Sequence, residues 1–498
     1  MNAAEKYDVL VLGSGTAGKL MAWTMAKEGR RTAVVERKYI GGACPNVACL
    51  PSKNVIHSAK VASLVRRHRE FGIETGPISI DMAGVYARKR DMVDGIIQVH
   101  LDKYRAVLDK NRGDELILGD AAFVAPRTLR VALNSGVNGG ANGGGERTLT
   151  ADRVFVNVGT HATIPDTPGL REASPLTHIE ALDLQRLPEH LIVLGGGYVG
   201  LELTQALRRL GSRITLIERG PQLLANEDAD VSQAMLLLFE DEGVEVLLNT
   251  TVLGVNGLSG DRVSLQLQTG NVTRTLQGTD ILVAVGRTPN TTGIGLEKAG
   301  IEVTEKGHIR VNDRLETTAP NVWAMGECAG SPYFTHVSED DFDIIHKNLN
   351  GGRRTTTDRL VPYCVFIDPE LARVGLNESQ AREHGVAYRV ASVPVAAAAW
   401  RPWTLSEKRG FMKTLVDAHS DRILGFMAFG PEAGELMGTV QLAMLTGQPY
   451  TVLRDAMFAH PTMAEGLKAL FMAVPERLET QADELHAGQT QIARTSAD

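Results

Sequence analysis

Residues 7–18 read Tyr7-Asp8-Val9-Leu10-Val11-Leu12-Gly13-Ser14-Gly15-Thr16-Ala17-Gly18, a short apolar run followed by glycines at GxGxxG spacing. Apolar side chains then recur at helical intervals from Ala17 to Met25, and a second apolar run over residues 32–35 ends at Glu36. A strand, a glycine turn, a helix and a second strand that ends in an acid make up a βαβ unit. This stretch therefore predicts a dinucleotide-binding fold at the start of the chain.

The same pattern occurs a second time, with Gly195, Gly197 and Gly200 after an apolar run and Glu218 at the end of the next run. The first glycine precedes the acid by 36 − 13 = 23 residues in one copy and by 218 − 195 = 23 residues in the other. Such glycines let the backbone approach a pyrophosphate at a helix N-terminus, where N–H groups favour negative charge. Two copies predict two dinucleotide sites, whereas a glycine turn made only for packing would not require the acid.

The acids at the two strand ends are expected to accept hydrogen bonds from a ribose diol. A carboxylate at Glu218 would repel a 2′-phosphate, so the second site is predicted to prefer NADH to NADPH. Arg219, next to it in sequence, works against this preference.

The composition limits the classes of function. The chain has 498 residues, enough for about three domains, and its 52 basic and 59 acidic side chains give a net charge of −7. It has no basic footprint for nucleic acid, no apolar stretch of bilayer-spanning length, and no signal-peptide layout in residues 1–6. A cytoplasmic location is therefore expected, with neither a nucleic acid nor a membrane as partner.

Two of the four cysteines, Cys44 and Cys49, lie five residues apart. On a regular helix this separation gives a rise of about 7.5 Å and a rotation of about 140°, which no disulfide spans. A bond between them needs a distorted first turn, where the helix dipole stabilises a thiolate. The alternatives are a zinc site that includes His57 and a pair of inert buried cysteines. A closed zinc site needs four ligands and there is no second cysteine pair, so no metal is expected.

The cysteine segment Gly41-Gly42-Ala43-Cys44 to Cys49-Leu50-Pro51-Ser52-Lys53, together with both glycine units, resembles the FAD-dependent pyridine nucleotide-disulfide oxidoreductases. That family includes dihydrolipoamide dehydrogenase, glutathione reductase and mercuric reductase. The resemblance covers nearly the whole chain, in order. It continues through Val158-Gly159-Thr160, Gly286-Arg287-Thr288-Pro289-Asn290, residues 320–327, 366–375 and 430–435, and His460-Pro461-Thr462-Met463-Ala464-Glu465.

The resemblance implies an α/β fold with two Rossmann-like dinucleotide-binding domains and a C-terminal α+β dimerisation domain. The expected boundaries are 1–160 and 286–345 for a discontinuous FAD-binding domain, 161–285 for an NAD(P)H-binding domain and 346–478 for the dimerisation domain. The polar residues 479–498 are expected to form a tail, and the glycine-rich residues 134–145 a hairpin tip without function.

The resemblance also implies that FAD lies on the first unit and a nicotinamide nucleotide, NAD rather than NADP, on the second. Glu327 stands where the family usually has aspartate and is expected beside the ribityl chain. Lys53 is expected to pair with Glu202 beneath the flavin, although either residue alone could be a solvated helix charge. Tyr198 either gates the nicotinamide pocket or packs on its helix. The implied cofactor-binding residues are Gly13, Gly15, Thr16, Ala17, Gly18, Glu36, Lys53, Gly159, Gly195, Gly197, Tyr198, Gly200, Glu202, Glu218, Gly286, Arg287 and Glu327.

His460 and Glu465 resemble the family's catalytic pair, in which an imidazole exchanges a proton with the substrate thiol and a carboxylate orients it. Histidine suits this task because its ordinary pKa of about 6.5 is close to working pH. The alternative is structural, since Thr462 and Glu465 also have the spacing of a capping box. In this family the histidine comes from the second subunit, so we predict a homodimer in which the partner subunit's His460 completes each active site.

The implied reaction passes electrons between NAD(P)H and a small-molecule or protein disulfide through FAD and a Cys44–Cys49 disulfide. Cys49 is expected to face the flavin and Cys44 to exchange with the substrate. Glu218 and residues 51–53 make dihydrolipoamide dehydrogenase the most similar member, and Glu218 also weakens a glutathione-type reaction. Mercuric reductase characteristically carries paired cysteines near its C-terminus, whereas the last cysteine here is Cys364.

Two other functions stay open at this point: a flavin reductase of a metal ion or quinone, and a non-catalytic FAD-binding redox scaffold. The substrate is not indicated by the sequence. Trp400 and Trp403 either line a substrate entrance or lie buried in the core.

Overall fold

A computed structural model describes residues 4–134 and 145–477. The predicted hairpin tip falls largely on residues outside these ranges, as does the predicted tail. The described chain forms two compact units. The first comprises residues 4–66, 76–134, 145–219 and 244–359, and the second comprises residues 67–75, 220–243 and 360–477. The domain boundaries given above stay predictions.

The described residues contain twenty strands and fourteen α-helices. The strands are β1 (Glu5–Leu12), β2 (Thr32–Glu36), β3 (Glu115–Ala125), β4 (Thr128–Leu133), β5 (Glu146–Val156), β6 (Thr160–Ala162), β7 (His190–Leu194), β8 (Arg213–Ile217), β9 (Glu245–Leu247), β10 (Thr250–Leu258), β11 (Arg262–Thr269), β12 (Val272–Gly278), β13 (Asp280–Val283), β14 (Arg287–Pro289), β15 (Val322–Ala324), β16 (Tyr363–Val365), β17 (Glu370–Gly375), β18 (Tyr388–Pro394), β19 (Phe411–Asp417) and β20 (Ile423–Gly430).

The helices are α1 (Thr16–Lys27), α2 (Ala43–Asn46), α3 (Cys49–Arg66), α4 (Met82–Val107), α5 (His178–Leu182), α6 (Tyr198–Leu210), α7 (Ala229–Asp241), α8 (Thr335–Leu349), α9 (Glu378–Glu383), α10 (Val395–Ala398), α11 (Arg401–Thr404), α12 (Ala433–Leu445), α13 (Tyr450–Asp455) and α14 (Gly466–Met472). Short 3-10 turns cover His68–Phe71, Leu296–Ala299, Gly326–Ala329 and Thr356–Asp358.

The first sheet of the first unit carries the first glycine motif. Strands β3, β2, β1, β5 and β15 run parallel in that order, and β4 pairs antiparallel with both β3 and β5. Successive side chains of β1 point to opposite faces, so Val9 and Val11 pack with α1 while Leu10 and Leu12 enter the core on the other face. Burial on both faces explains why β1 is a nearly continuous apolar run.

The strand register determines where the functional groups meet. Leu12 pairs with both Val35 and Val156, and Val156 pairs with Ala324. The residues that follow these strands therefore emerge at the same carboxyl edge of the sheet, where ligands bind in open α/β folds. They are Gly13, Asn157 and Met325, and Glu36 lies at the same edge as the last residue of β2.

The second glycine unit forms a separate sheet in which β13, β7, β8 and β9 run parallel. Leu194 pairs with Ile217 and Val283, so Gly195, Glu218 and Ala284 leave the sheet at one edge. A three-stranded antiparallel sheet, β10-β11-β12, accompanies it. Both βαβ units predicted from the glycine motifs are therefore confirmed.

The second unit is built on an antiparallel sheet of order β16-β17-β20-β19-β18. Its core combines inward side chains of the sheet with helices α12 and α14. This is the α+β arrangement expected for the C-terminal part, so the predicted fold class is confirmed. Within residues 4–134 and 145–477, no helix combines the length and the apolar character needed to cross a bilayer.

Candidate active site

The glycine positions of the first motif leave no room for a side chain. Gly13 has a φ of +95°, and a Cβ added to it would lie 2.3 Å from the carbonyl oxygen of Asn157. A Cβ on Gly18 would lie 2.1 Å from the carbonyl oxygen of Gly13. The Asn157 side chain accepts from the Gly18 N–H at 3.1 Å and donates to the Met325 carbonyl at 2.8 Å. These contacts hold the turn and the start of α1 against the ends of β5 and β15.

Glu36, the acid at the end of β2, is largely buried and holds the loops around it. Its carboxylate accepts from the N–H and the hydroxyl of Ser14, at 2.8 and 2.7 Å, and from the N–H groups of Lys38 and Tyr39. The side chain therefore lies directly beside the glycine turn, in the position expected for a ribose-binding acid.

The second motif repeats this construction. A Cβ on Gly200 would lie 2.0 Å from the carbonyl oxygen of Gly195, whereas one on Gly197 would meet no atom within 4 Å. The Gly196 N–H donates to the Glu218 carboxylate at 2.7 Å. The open side of Gly197 is the face on which a pyrophosphate could approach the start of α6.

The two cysteines lie on the irregular turn that their spacing predicts. Cys44 is in the short helix α2, Val47 leaves helical geometry with a φ of −142°, and α3 begins at Cys49. A Cβ on Gly42, whose φ is +84°, would lie 2.5 Å from the Cα of Gly15. The cysteine loop is therefore pressed against the first glycine turn.

Cys44 and Cys49 are free cysteines in this structure, and each changes the acidity of the other. The hydrogen bond from Cys44 lowers the pKa of Cys49 to about 6, with help from the Thr335 hydroxyl at 3.3 Å and the charge of Lys53, against the effect of burial. The hydrogen bond to Cys49 and burial together raise the pKa of Cys44. Cys49 is therefore the thiolate of the pair at neutral pH, and Cys44 carries the proton.

Lys53 and Glu202 meet as predicted. Lys53 Nζ donates to the Glu202 carboxylate at 2.7 Å, and only 5% of the Glu202 side chain is exposed. A solvated helix charge is therefore the wrong interpretation of Glu202. Tyr198, at the start of α6, has its ring centroid 5.9 Å from that of Phe334, and burial raises its pKa to about 12. Its gating role stays a prediction.

Glu327 is held by two residues of the motifs that the resemblance covers. Thr160 donates its hydroxyl hydrogen to the Glu327 carboxylate, and Arg287 Nε lies 3.1 Å from the same oxygen. The preceding N–H, that of Gly326, donates to the buried Asp341. The longer side chain in place of aspartate is thus fixed at its tip by Arg287.

These groups line one cavity of about 480 Å³ in the first unit, which falls within the size range of ligand sites. His178 also lines it, and its buried Nε2 has no hydrogen-bond partner among the described residues. An uncapped helix start, an acid at the strand end and an unsatisfied buried nitrogen in one cavity are the features that a bound FAD would use. The predicted residues that line the cavity are Gly13, Gly15, Thr16, Glu36, Cys44, Cys49, Lys53, Gly159, Tyr198, Glu202, Arg287 and Glu327.

His460 and Glu465 form a pair in the second unit. The His460 Nδ1–H donates to the Glu465 carboxylate at 2.8 Å, and the Trp400 N–H donates to the other oxygen at 3.1 Å. Burial opposes ionisation of Glu465, but these two hydrogen bonds lower its pKa. The carboxylate thus holds the imidazole in one orientation and leaves its Nε2 available.

The capping-box alternative for Thr462 and Glu465 is wrong. Helix α14 begins at Gly466, no side chain caps it, and the Thr462 hydroxyl donates to the Ala459 carbonyl at 2.7 Å. The buried-core alternative for the two tryptophans is also wrong, because Trp400 is 61% exposed and Trp403 is 48% exposed.

Several residues of the site were not found from the sequence. Asn157 could have been flagged as a polar residue at the end of a buried strand, where ligand-binding groups gather. Thr335 and His178 carry no such signal, since each is brought to the cavity by an element distant in sequence. Asp341, whose carboxylate accepts from the Gly326 N–H, carries none either. Within the described ranges, no group of three or more His, Cys, Asp or Glu side chains could hold a metal ion.

Comparison with known proteins agrees with this geometry. Residues 7–341 match the family described as pyridine nucleotide-disulphide oxidoreductase. The chain belongs to this family. Residues 361–471 match the family's dimerisation domain, which implies a homodimer. Family members are FAD-dependent enzymes that also use a nicotinamide nucleotide and a redox-active disulfide.

Relatives with three different names show similar identity. RclA of Escherichia coli is 34% identical over 94% of this chain and 99% of its own length. A mercuric reductase of Acidithiobacillus ferrooxidans is 34% identical over 94% of this chain and 82% of its own length. A dihydrolipoyl dehydrogenase of Thermus scotoductus is 34% identical over 96% and 98%.

A solved structure supports the same assignment. The HOCl-induced flavoprotein disulfide reductase RclA from Escherichia coli superposes with a TM-score of 0.82 at 33% identity, covering 94% of this chain and 100% of that one. Identity alone does not distinguish among the three names, so the family is established and the substrate is not.

Proposed function

We propose that this protein passes two electrons between NADH and a disulfide or dithiol through bound FAD and a redox disulfide formed by Cys44 and Cys49. The observation that carries the proposal is the pair of cysteines on an irregular turn, both of which line the same cavity as the first glycine motif. The lowered pKa of Cys49, about 6, supports it. FAD, when bound, would accept hydride from the nicotinamide and exchange electrons with the sulfur pair.

Each residue of the proposed site has one task. Cys49 holds the thiolate beside the flavin position, and Cys44 exchanges with the external disulfide. The Lys53–Glu202 ion pair lines the cavity beneath the position proposed for the flavin. His460 is 63% exposed on its own chain, which suits a base that is contributed to a second subunit. The partner subunit's His460 would take the proton from Cys44.

The acceptor is proposed to be a dithiol–disulfide compound of the kind used by dihydrolipoamide dehydrogenase, supported by Glu218 and residues 51–53. The same residues run the reaction in either direction, because thiol–disulfide exchange is reversible. A cytoplasmic location stays part of this proposal.

The decisive experiment counts thiols and compares acceptors. Reduction of the purified holoprotein with NADH is expected to release two additional titratable thiols per chain, and lipoamide is expected to be reduced faster than glutathione disulfide. As the control, thiols are also counted in denatured protein before and after reduction. An unchanged thiol count would refute the Cys44–Cys49 redox disulfide. Equal rates on every disulfide would be compatible with that disulfide but would contradict the proposal that the acceptor is a dithiol–disulfide compound.

The preference for NADH rests on Glu218. We expect kcat/KM for NADH to exceed that for NADPH by about tenfold or more, because the carboxylate repels a 2′-phosphate. Glu218→Gln keeps an acceptor for the Gly196 N–H but removes the charge, so the ratio should narrow. Asp261→Asn, which removes an exposed charge from the turn between β10 and β11, should leave the ratio unchanged. Steady-state kinetics with both nucleotides would contradict the assignment if Glu218→Gln kept the wild-type ratio.

A metal ion is the second candidate acceptor, supported by the solved Cu(II) complex of RclA and by the mercuric reductases among the relatives. A flavin-only route to a metal ion or quinone would survive Cys44→Ser. A non-catalytic scaffold, by contrast, would show no steady NADH consumption with any acceptor.

A further inference from the structure

A lysine and a histidine outside the recognised motifs lie against the cysteine loop. Lys19 follows Gly18 in the first turn of α1, and its Nζ donates to Nε2 of His100 on α4 at 3.0 Å. Both side chains are partly buried. A partly buried lysine beside the cysteine loop calls for an explanation, because burial disfavours its charge.

The His100 ring touches the loop that carries Cys44. A Cβ added to Gly41 would lie 2.4 Å from His100 Nδ1, so only glycine leaves room for the imidazole here. The ring also approaches Trp23, with centroids 6.1 Å apart. His100 is therefore wedged between α1 and the cysteine loop, and its position fixes where the Lys19 ammonium lies.

His100 is neutral and acts as an acceptor. Burial, followed by the charge of Lys19, lowers its pKa to about 4. Its Nε2 can therefore receive the Lys19 hydrogen bond without neutralising the lysine. Burial lowers the pKa of Lys19, but the nearby Cys44 and Glu339 raise it. An uncharged residue that lies against the cysteine loop therefore holds the Lys19 cation in place.

Cys44 needs such a cation. Only a thiolate attacks a disulfide, yet the hydrogen bond to Cys49 and burial raise the pKa of Cys44. Two influences oppose this rise: a hydrogen bond involving Thr335 and the positive charge of Lys19. Among the charged groups of the described chain that act on the pair, Lys53 and Glu202 act on Cys49, while Lys19 acts on Cys44.

We propose that the Lys19 ammonium, held in place by His100, stabilises the Cys44 thiolate that attacks the acceptor disulfide. Lys19 and His100 are positioning residues, and the inference rests on the proposed exchange at Cys44. Cys44 loses its proton to the partner subunit's His460, and its thiolate breaks the acceptor S–S bond and forms a mixed disulfide. The first acceptor thiolate leaves and takes up a proton.

The Cys49 thiolate then attacks the Cys44 sulfur of that mixed disulfide. The Cys44–Cys49 bond forms, and the second acceptor thiolate leaves and is protonated. Two electrons have passed from the enzyme dithiol to the acceptor, which becomes two thiols. Lys19 keeps its charge throughout and undergoes no reaction itself.

The experiment measures the acidity of Cys44 directly. In a Cys49→Ser holoenzyme one thiol of the pair remains, so its titration is that of a single site. The rate of Cys44 alkylation by iodoacetamide is followed from pH 5 to 10 by peptide mass spectrometry. Lys19→Met in this background is expected to raise the midpoint by about one pH unit, since a nearby opposite charge lowers a thiol pKa by about this amount or more. Alkylation at pH 7 should then slow about tenfold.

Three further variants separate the charge from its surroundings. Lys19→Arg keeps the cation, so its alkylation midpoint should stay close to that of the parent. His100→Phe keeps a ring against Gly41 but frees the lysine, so it should raise the midpoint by part of the amount expected for Lys19→Met. Lys27→Met removes an exposed charge from the last turn of the same helix and should change nothing.

If the pH profiles of Cys44 alkylation coincide for Lys19→Met and its Cys49→Ser parent, the inference is overturned. If Lys19→Met fails to retain FAD, His100→Phe decides, and an unshifted midpoint there would overturn it as well. Alkylation needs no acceptor, so this result is independent of the disulfide panel. Absence of all disulfide turnover in the wild-type enzyme would refute the proposed function and leave the midpoints readable.

Discussion

Replacing Cys44 by serine is expected to reduce disulfide turnover by about a thousandfold or more while NADH oxidation with ferricyanide continues. Serine is similar in size to cysteine but cannot form a mixed disulfide, so the exchange step has no nucleophile. Ferricyanide takes electrons from the flavin and does not need the sulfur pair. The two rates are measured on the same preparation, whose FAD content is determined from its absorbance.

Cys44→Ser and Cys44→Ala form a matched pair that tests the origin of the acidity of Cys49. The hydrogen bond from Cys44 is the largest influence that lowers the pKa of Cys49 to about 6. A serine hydroxyl can replace that donor, whereas alanine cannot. The alkylation midpoint of Cys49 should therefore lie at higher pH in Cys44→Ala than in Cys44→Ser. Disulfide turnover that survives in both variants would show that the acceptor takes electrons from the flavin directly.

The sequence predicts the parts of this molecule that depend on local patterns. Within each copy, the glycine turn, its two strands and the terminal acid span about thirty residues, so spacing alone indicates the βαβ units. The irregular turn at Cys44 and Cys49 also follows from spacing, because a regular helix holds two such sulfurs apart. The pairing of Lys53 with Glu202 came from the resemblance to a family, since 149 residues separate them.

What the sequence does not predict is carried by contacts between distant elements. Asn157 ties the first glycine turn to the end of β15, Thr335 reaches Cys49 across 286 residues, and His100 meets Lys19 across 81. None of these residues belongs to a periodic pattern that could have singled it out. Their roles follow from strand register and helix packing, which decide which side chains share the carboxyl edge of the sheet.

The capping-box alternative fails for a related reason. Thr462 and Glu465 have the correct spacing, but a cap also requires the helix to begin at once, and α14 begins only at Gly466. The Glu465 carboxylate is already occupied by His460 and by the N–H of Trp400, which lies 65 residues away. A tertiary contact thus overrides the local pattern and turns the carboxylate towards the imidazole.

Replacing His460 by glutamine is expected to lower disulfide turnover by about a hundred- to ten-thousandfold, the range over which a positioned base accelerates proton transfer. Flavin reduction by NADH should be unaffected, because the imidazole acts on the exchange step. Glu465→Gln keeps an acceptor for the Trp400 N–H but loses the negative charge that orients the His460 ring. Its loss of turnover should therefore be smaller than that of His460→Gln.

Thr462→Ala is the matched control for this pair of variants. It removes the hydroxyl that donates to the Ala459 carbonyl but leaves the contact between His460 and Glu465 intact, so turnover should fall less than about threefold. If Thr462→Ala and His460→Gln reduced turnover equally, the segment would serve only to hold its loop. If His460→Gln kept full turnover on every disulfide, the base would have to be sought elsewhere.

Mixing inactive Cys44→Ser and His460→Gln subunits tests the shared site, because a mixed dimer regains one active site with Cys44 from one chain and His460 from the other. Recovered turnover in that mixture is the result that a site built from two chains requires.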